Sequence, residues 1–102
     1  MADIQSFRLR SVSRQAMRLE SNDDILDAMN WVSSVAQPCE EVFGARYPIL
    51  YRQRASWVLD NAWDDEALQR LDLPCWLVYS PEFNRFYPYS DEDFVRAFMP
   101  VP

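Results

Sequence analysis

Apolar and polar residues alternate in two stretches of the chain, which is the pattern of half-buried β-strands. The first stretch covers residues 6–19 and is predicted to form one long or bulged strand. The second covers residues 49–59 and is also predicted to be one long strand, with Ile49 and Leu59 on one side and Leu50 on the other. Both strands are expected to contribute one face to the core.

Helical periodicity follows each predicted strand. Ser21 and Asp24 resemble a capping box, and apolar residues then recur at three- and four-residue steps until Pro38 ends the pattern. Trp31 lies near one edge of this apolar stripe, where it either completes the core or joins a binding surface. A shorter helix is predicted over residues 64–71.

The last third of the chain carries the clearest signals. Residues 75–79 form an apolar run and residues 85–87 a second one, with turn formers around Pro81 between them, which predicts a β-hairpin. Ser90 then resembles a helix cap, and the aromatic residues of 94–98 give the spacing of a closing helix.

Length and composition limit the class of protein. The chain has 102 residues, 49% of them hydrophobic and 25% charged, which fits one globular domain spanning residues 1–102. The elements above predict an α+β fold, with a small antiparallel sheet of about four strands packed against two or three helices. No apolar run reaches the roughly 20 residues of a membrane span, and no signal peptide is visible.

Several catalytic side chains are missing from the sequence. It contains no His, no Lys and one glycine, Gly44, so imidazole catalysis, Schiff-base chemistry and Gly-rich phosphate loops are excluded. Cys39 and Cys75 belong to no C-x-x-C pair, and we interpret them as small buried hydrophobic residues. We therefore expect a protein that is not an enzyme and that holds no metal or cofactor.

Charge is distributed in blocks along the chain, and the net charge is −6. Residues 1–19 and 46–59 each carry +3, whereas residues 20–45 and 60–102 each carry −6. An acidic protein of this kind is not expected to bind nucleic acid directly. The acids also fall where helices are predicted to start, so a helix-dipole role explains them as well as a partner does.

Segments at both ends of the chain resemble a known family. Residues 76–78 (W-L-V), 86–88 (F-Y-P) and 94–101 (F-x-x-x-F-x-P-V) resemble the C-terminal signature of small tailed-phage and prophage accessory proteins, which reads P-G-D-W-I-V, then E-F-Y-P, then a short helix and P-V. Residues 7–11 and 15–16 are similar to the family's opening, F-R-x-K-P-x-x-x-E-A. This resemblance implies a phage or prophage accessory protein of the bacterial cytoplasm.

Three functions follow as hypotheses. The first is a non-catalytic protein that binds and inhibits a host protein, including an anti-defence, anti-CRISPR-like inhibitor. The second is a sponge that holds a small ligand such as a nucleotide, and the third is a minor virion or assembly component. A monomer and a homodimer are both compatible with the sequence.

Each of the first two hypotheses has its own candidate residues. The partner-binding candidates are the acidic residues Asp23, Asp24, Asp27, Asp64, Asp65 and Glu66, together with Trp31. The candidates for the ligand sponge are Arg8, Arg10, Arg52, Arg54 and Tyr51.

Overall fold

A computed structural model describes the chain over residues 2–9, 12–37, 47–61 and 68–100. Two helices and eight strands lie within these ranges. In chain order they are β1 (Ile4–Leu9), β2 (Val12–Leu19), α1 (Asn22–Val35), β3 (Ile49–Gln53), β4 (Ser56–Asp60), β5 (Gln69–Leu71), β6 (Cys75–Ser80), β7 (Arg85–Tyr89), α2 (Asp91–Ala97) and β8 (Met99–Pro100). The α+β class predicted from the sequence is confirmed.

The strands form two antiparallel sheets. The larger sheet has five strands in the order β7-β6-β2-β1-β8, and the smaller has three in the order β3-β4-β5. One sheet of about four strands was expected, so the described chain has more strands, divided between two sheets. The helix count of two falls within the expected range.

The prediction of one strand over residues 6–19 is wrong. Leu9 pairs with Val12 and Ile4 with Met17, so the chain reverses direction and forms a hairpin. Tight hairpins usually carry Asn-Gly or a similar pair in the turn. Neither residue is present here, and the alternation therefore reads as one continuous strand.

The prediction of one strand over residues 49–59 is wrong for the same reason. Gln53 pairs with Ser56, and Leu50 pairs with Leu59. The reversal places Leu50 and Leu59 on the same side of the small sheet, whereas a continuous strand would place them on opposite sides.

The short helix predicted over residues 64–71 is replaced by a strand in its final part. Residues 69–71 form β5, which pairs with β4, and residues 64–67 lie outside the described ranges. The other elements agree with prediction. Helix α1 starts after Ser21, and β6 and β7 form the hairpin. Ser90 caps α2, because its Oγ accepts a hydrogen bond from the N–H of Asp93 at 3.1 Å.

The five-stranded sheet has buried residues on both faces. Helix α1 and the three-stranded sheet pack on one face, where Leu19, Leu77 and Phe86 are fully buried. Helix α2 packs on the other face, where Phe94 stacks on Trp76 with ring centroids 4.0 Å apart. The three-stranded sheet therefore uses one side for the core. On its other side Val58, the partner of Tyr51, is also buried, at 4% exposed.

A buried asparagine joins the two sheets. Asn61, just after β4, is 3% exposed. Its Nδ2 donates to the carbonyl of Phe86 at 2.9 Å, and its Oδ1 accepts from the N–H of Phe86 at 2.7 Å. The amide thereby satisfies both backbone groups of Phe86 at the outer edge of β7, as a neighbouring strand would.

An ion pair fixes α2 on the five-stranded sheet. Arg18 of β2 donates from Nε to Oδ1 of Asp91 at 3.0 Å and from Nη2 to Oδ2 at 2.8 Å, and it also pairs with Glu20. The hydrogen bond from Arg18 holds the pKa of the Asp91 carboxyl below its usual value. Bidentate pairs of this kind have defined geometry as well as charge.

Stability is expected to fall in acid partly through Asp91. A carboxyl whose pKa is lower in the folded protein stabilises the fold above its unfolded-state value of about 3.9, and the stabilisation is lost as pH falls through the folded value. Asp91→Asn should therefore lower the free energy of unfolding at pH 7 and lower it much less at pH 3, measured by urea unfolding. Glu92→Gln, in an exposed pair with Arg96, is the control. If Asp91→Asn lowers the free energy of unfolding equally at both pH values, the stabilising role of the ionised Asp91 carboxyl is contradicted.

Candidate functional site

The acidic candidates at the start of α1 have three different environments. Asp24 is buried and accepts from the backbone N–H groups of Glu20 at 2.8 Å and Ser21 at 3.3 Å, so it caps the helix. Asp27 accepts from the N–H of Ala2 at 3.1 Å. Asp23 is exposed, so only one of the three carboxylates is fully on the surface.

Trp31 is a core residue, which corrects its candidacy as a partner-binding residue. Its side chain is 3% exposed, and its ring meets Phe86 edge to face with centroids 5.4 Å apart. It lines an open pocket together with Asp27 and Ile4, but almost none of its own surface is accessible to a partner there. The remaining acidic candidates, Asp64, Asp65 and Glu66, lie outside the described residues.

The candidates for a ligand sponge are divided between the two sheets. Arg8 belongs to β1 of the five-stranded sheet, whereas Tyr51 and Arg52 belong to β3 and Arg54 to the turn after it. Arg10 lies outside the described residues. Only the three residues of the β3–β4 hairpin share an element.

Arg52 is engaged within the fold. It pairs across the hairpin with Trp57, and its guanidinium carbon lies 5.8 Å from the centroid of that indole. Its Nε donates to the carbonyl of Arg54 at 3.2 Å. The indole N–H of Trp57 in turn donates to Oδ1 of Asn22 at 3.2 Å. Arg52 therefore stiffens the hairpin and links it to α1.

The side of the three-stranded sheet that faces away from the core carries the strongest candidate site. Tyr51, Val58 and Arg70 are direct partners across β3, β4 and β5, so their side chains lie on one side. By strand alternation Ile49 and Leu68 lie on the same side. We call this surface the outer face and define it by Tyr47, Ile49, Tyr51, Arg54, Leu68 and Arg70.

Three large apolar side chains of the outer face are exposed. Tyr47 is 51% exposed, Ile49 47% and Leu68 50%. Buried residues alternate with them, since Pro48 and Leu50 belong to the core side. Tyr and Arg, which both occur on this face, are among the residue types enriched in protein-binding hot spots.

Arginines lie at the hairpin end of the outer face. Arg54 and Arg70 are exposed, and neither forms an ion pair with a residue that the structure describes. They line a shallow pocket together with Gln53, Ser56 and Val58. Donors and apolar surface in this arrangement suit the binding of an anionic group beside an apolar one.

Sequence reasoning found Tyr51 and Arg54 of this face and missed Leu68 and Arg70. The continuous strand predicted over residues 49–59 placed Ile49 on the same side as the buried Leu59. The short helix predicted after it took the place of β5. Strand length was the signal that could have corrected this, since 11 residues exceed the usual five or six.

The described part of the chain contains no helix long and apolar enough to cross a membrane, and no three metal-ligating side chains converge within it. Among the described residues the outer face is the strongest candidate for a functional site, because exposed apolar side chains and two arginines share it. Comparison with family models, curated proteins and solved structures finds no significant match to this chain.

Proposed function

We propose that this protein is a non-catalytic phage or prophage accessory protein that binds and inhibits a host protein in the bacterial cytoplasm. The observation that carries the proposal is the outer face, where exposed apolar side chains and arginines lie together. The phage origin rests on the resemblance of the chain's two ends to that family.

Clustering is what makes the outer face a binding candidate. Single exposed hydrophobic residues are normal on protein surfaces, but a contiguous patch rimmed by polar residues marks an interaction site. Here three half-exposed apolar side chains lie on one face of the three-stranded sheet, where Asp60 of the central strand separates Ile49 from Leu68. Arg54 and Arg70 lie on the same face, toward the hairpin end. The other exposed large apolar side chains of the described residues each lie on a different element: Ile4 on β1, Leu26 on α1, Phe83 in the β6–β7 turn and Val95 on α2.

A ligand sponge has less support. The candidates that the structure describes are not assembled into one site, because Arg8 belongs to the other sheet and the Arg52 guanidinium contacts Trp57. A small anion at Arg54 and Arg70 would use only one of these candidates, Arg54.

Site-specific crosslinking tests the proposal. With the photoreactive residue p-benzoylphenylalanine at position 49 or 68, the protein should crosslink one host protein in bacterial lysate, and excess unmodified protein should compete. The same residue at position 95, where Val95 is 75% exposed on α2, should give no such product. Purified target should then lose activity when the protein is added at equal concentration.

Paired substitutions provide a matched control. Ile49→Ser with Leu68→Ser should weaken capture by about tenfold or more, because the apolar part of the interface is removed. Leu26→Ser with Val95→Ser removes comparable exposed apolar groups elsewhere and should leave capture unchanged. Capture that survives the first pair, or that is lost equally with both, would contradict the proposal.

A further inference from the structure

The hairpin end of the outer face offers hydrogen-bond donors to a negatively charged group. Arg54 and Arg70 are both exposed and have no acidic partner among the described residues. The pocket between them also exposes the amide of Gln53 and the hydroxyl of Ser56, with Val58 as its apolar wall. Guanidinium, amide and hydroxyl groups all donate hydrogen bonds to an oxyanion.

The strand register brings these groups within reach of one ligand. Arg70 is the direct partner of Val58, and neighbouring strands are about 5 Å apart. Gln53 and Ser56 are partners at the end of the hairpin, about 7 Å along the strands from that position. Two flexible arginine side chains can span this distance and meet at a single carboxylate.

The backbone of Arg54 supports a role for its side chain. Its φ is 59°, in the left-handed region that favours glycine and asparagine. The second such residue in the described chain is Asn84, with φ of 52°, which follows that preference. An arginine kept in this strained conformation points to a use for the guanidinium.

The surroundings favour a carboxylate on a protein over the phosphates of a nucleic acid. The whole chain carries a net charge of −6, which repels a polyanion at long range. By strand alternation Asp60 lies on this face opposite Ile49, and Asp72 lies two residues beyond Arg70. A single carboxylate next to apolar side chains meets less repulsion, and it matches arginines that share a face with the exposed Tyr47, Ile49 and Leu68.

We infer that Arg54 and Arg70 bind a Glu or Asp side chain of the partner, and that this acidic residue lies beside apolar residues seated on Ile49 and Leu68. The inference rests on the proposed function and names the chemistry of the partner segment. The two parts of the face have separate roles. The arginines select the acidic residue, and the exposed apolar side chains supply contact area.

A defined peptide tests the inference without knowledge of the partner. The probe is a fluorescein-labelled peptide of alternating leucine and glutamate with blocked ends, and binding is measured by fluorescence anisotropy. Its affinity should be about tenfold higher than that of the matched leucine–glutamine peptide, and should fall as salt is added. A flat titration with the glutamate peptide, or equal affinity for both peptides, would overturn the inference.

Variants of the protein locate the contact. Arg54→Gln with Arg70→Gln should reduce the affinity for the glutamate peptide by about tenfold. Arg54→Lys with Arg70→Lys should retain part of the affinity that the glutamine substitutions remove. Arg96→Gln, which removes an exposed arginine from α2, should have no effect. Unchanged binding by the double glutamine variant would place the peptide elsewhere.

Two further measurements distinguish other occupants. If oligothymidylate binds more tightly than the glutamate peptide and the glutamine variant abolishes it, the pocket takes phosphate, and the inference fails. If sedimentation shows a dimer that the same variant dissociates, the occupant is a second copy, and the inference also fails. Host-protein capture that is lost with Ile49→Ser and Leu68→Ser but kept with both glutamine substitutions would overturn the inference alone and leave the proposed function intact.

Discussion

Asn61→Ala is expected to lower the free energy of unfolding by about 3 kcal/mol, because two buried backbone groups lose their partner together. The N–H and the carbonyl of Phe86 both bond to the Asn61 amide, and the site is closed to water, since Asn61 is 3% exposed and Phe86 fully buried. Urea unfolding followed by tryptophan fluorescence measures the loss.

Asn84 offers a matched control, since it makes the same pair of bonds in solvent. Its Nδ2 donates to the carbonyl of Gln37 at 2.6 Å, and its Oδ1 accepts from the N–H of Gln37 at 2.9 Å. Asn84→Gly keeps the positive φ easily, and water replaces the lost bonds, so the loss should stay below about 1 kcal/mol. Equal losses for the two variants would show that burial of the Phe86 groups does not matter.

Trp31→Ala is expected to lower the free energy of unfolding by about 3 to 5 kcal/mol, the usual range for truncating a large buried aromatic. Trp31 packs against Phe86 and Tyr79 between α1 and the five-stranded sheet. Tyr47→Ala, on the outer face, should change stability by no more than about 0.5 kcal/mol. Thermal and urea unfolding of both variants measure the contrast.

Trp31→Phe separates a core role from a binding role. The indole N–H of Trp31 has no hydrogen-bond partner within the described residues, so phenylalanine removes volume without breaking a bond. This variant should remain folded and should capture the host protein as the original does. Loss of capture by a folded Trp31→Phe protein would restore Trp31 to the binding surface.

Local signals were sufficient to predict part of the fold. Ser21 and Ser90 mark the starts of both helices through side-chain caps, and Pro81 marks the turn of the β6–β7 hairpin. Each of these elements depends on residues within a few positions of one another. The α+β class follows from their number and type.

Contacts between distant residues account for what the sequence concealed. The turn at Arg54 uses a residue that hairpins rarely place there, so the register of β3 and β4 could not be derived. The role of Asn61 depends on Phe86, which lies 25 positions away. The outer face then emerges only from the pairing of three strands, because no short segment contains it.

Asn61 also bears on self-association through sheet edges. Strand β7 is an edge of the five-stranded sheet, and unpaired edges template the addition of strands from other chains. Phe86 and Pro88 are two residues apart, so their backbone groups point the same way. The Phe86 groups are bonded to Asn61 and Pro88 has no amide hydrogen, which leaves a neighbouring chain little to pair with. A single amide side chain thus protects this edge from fibril-like growth.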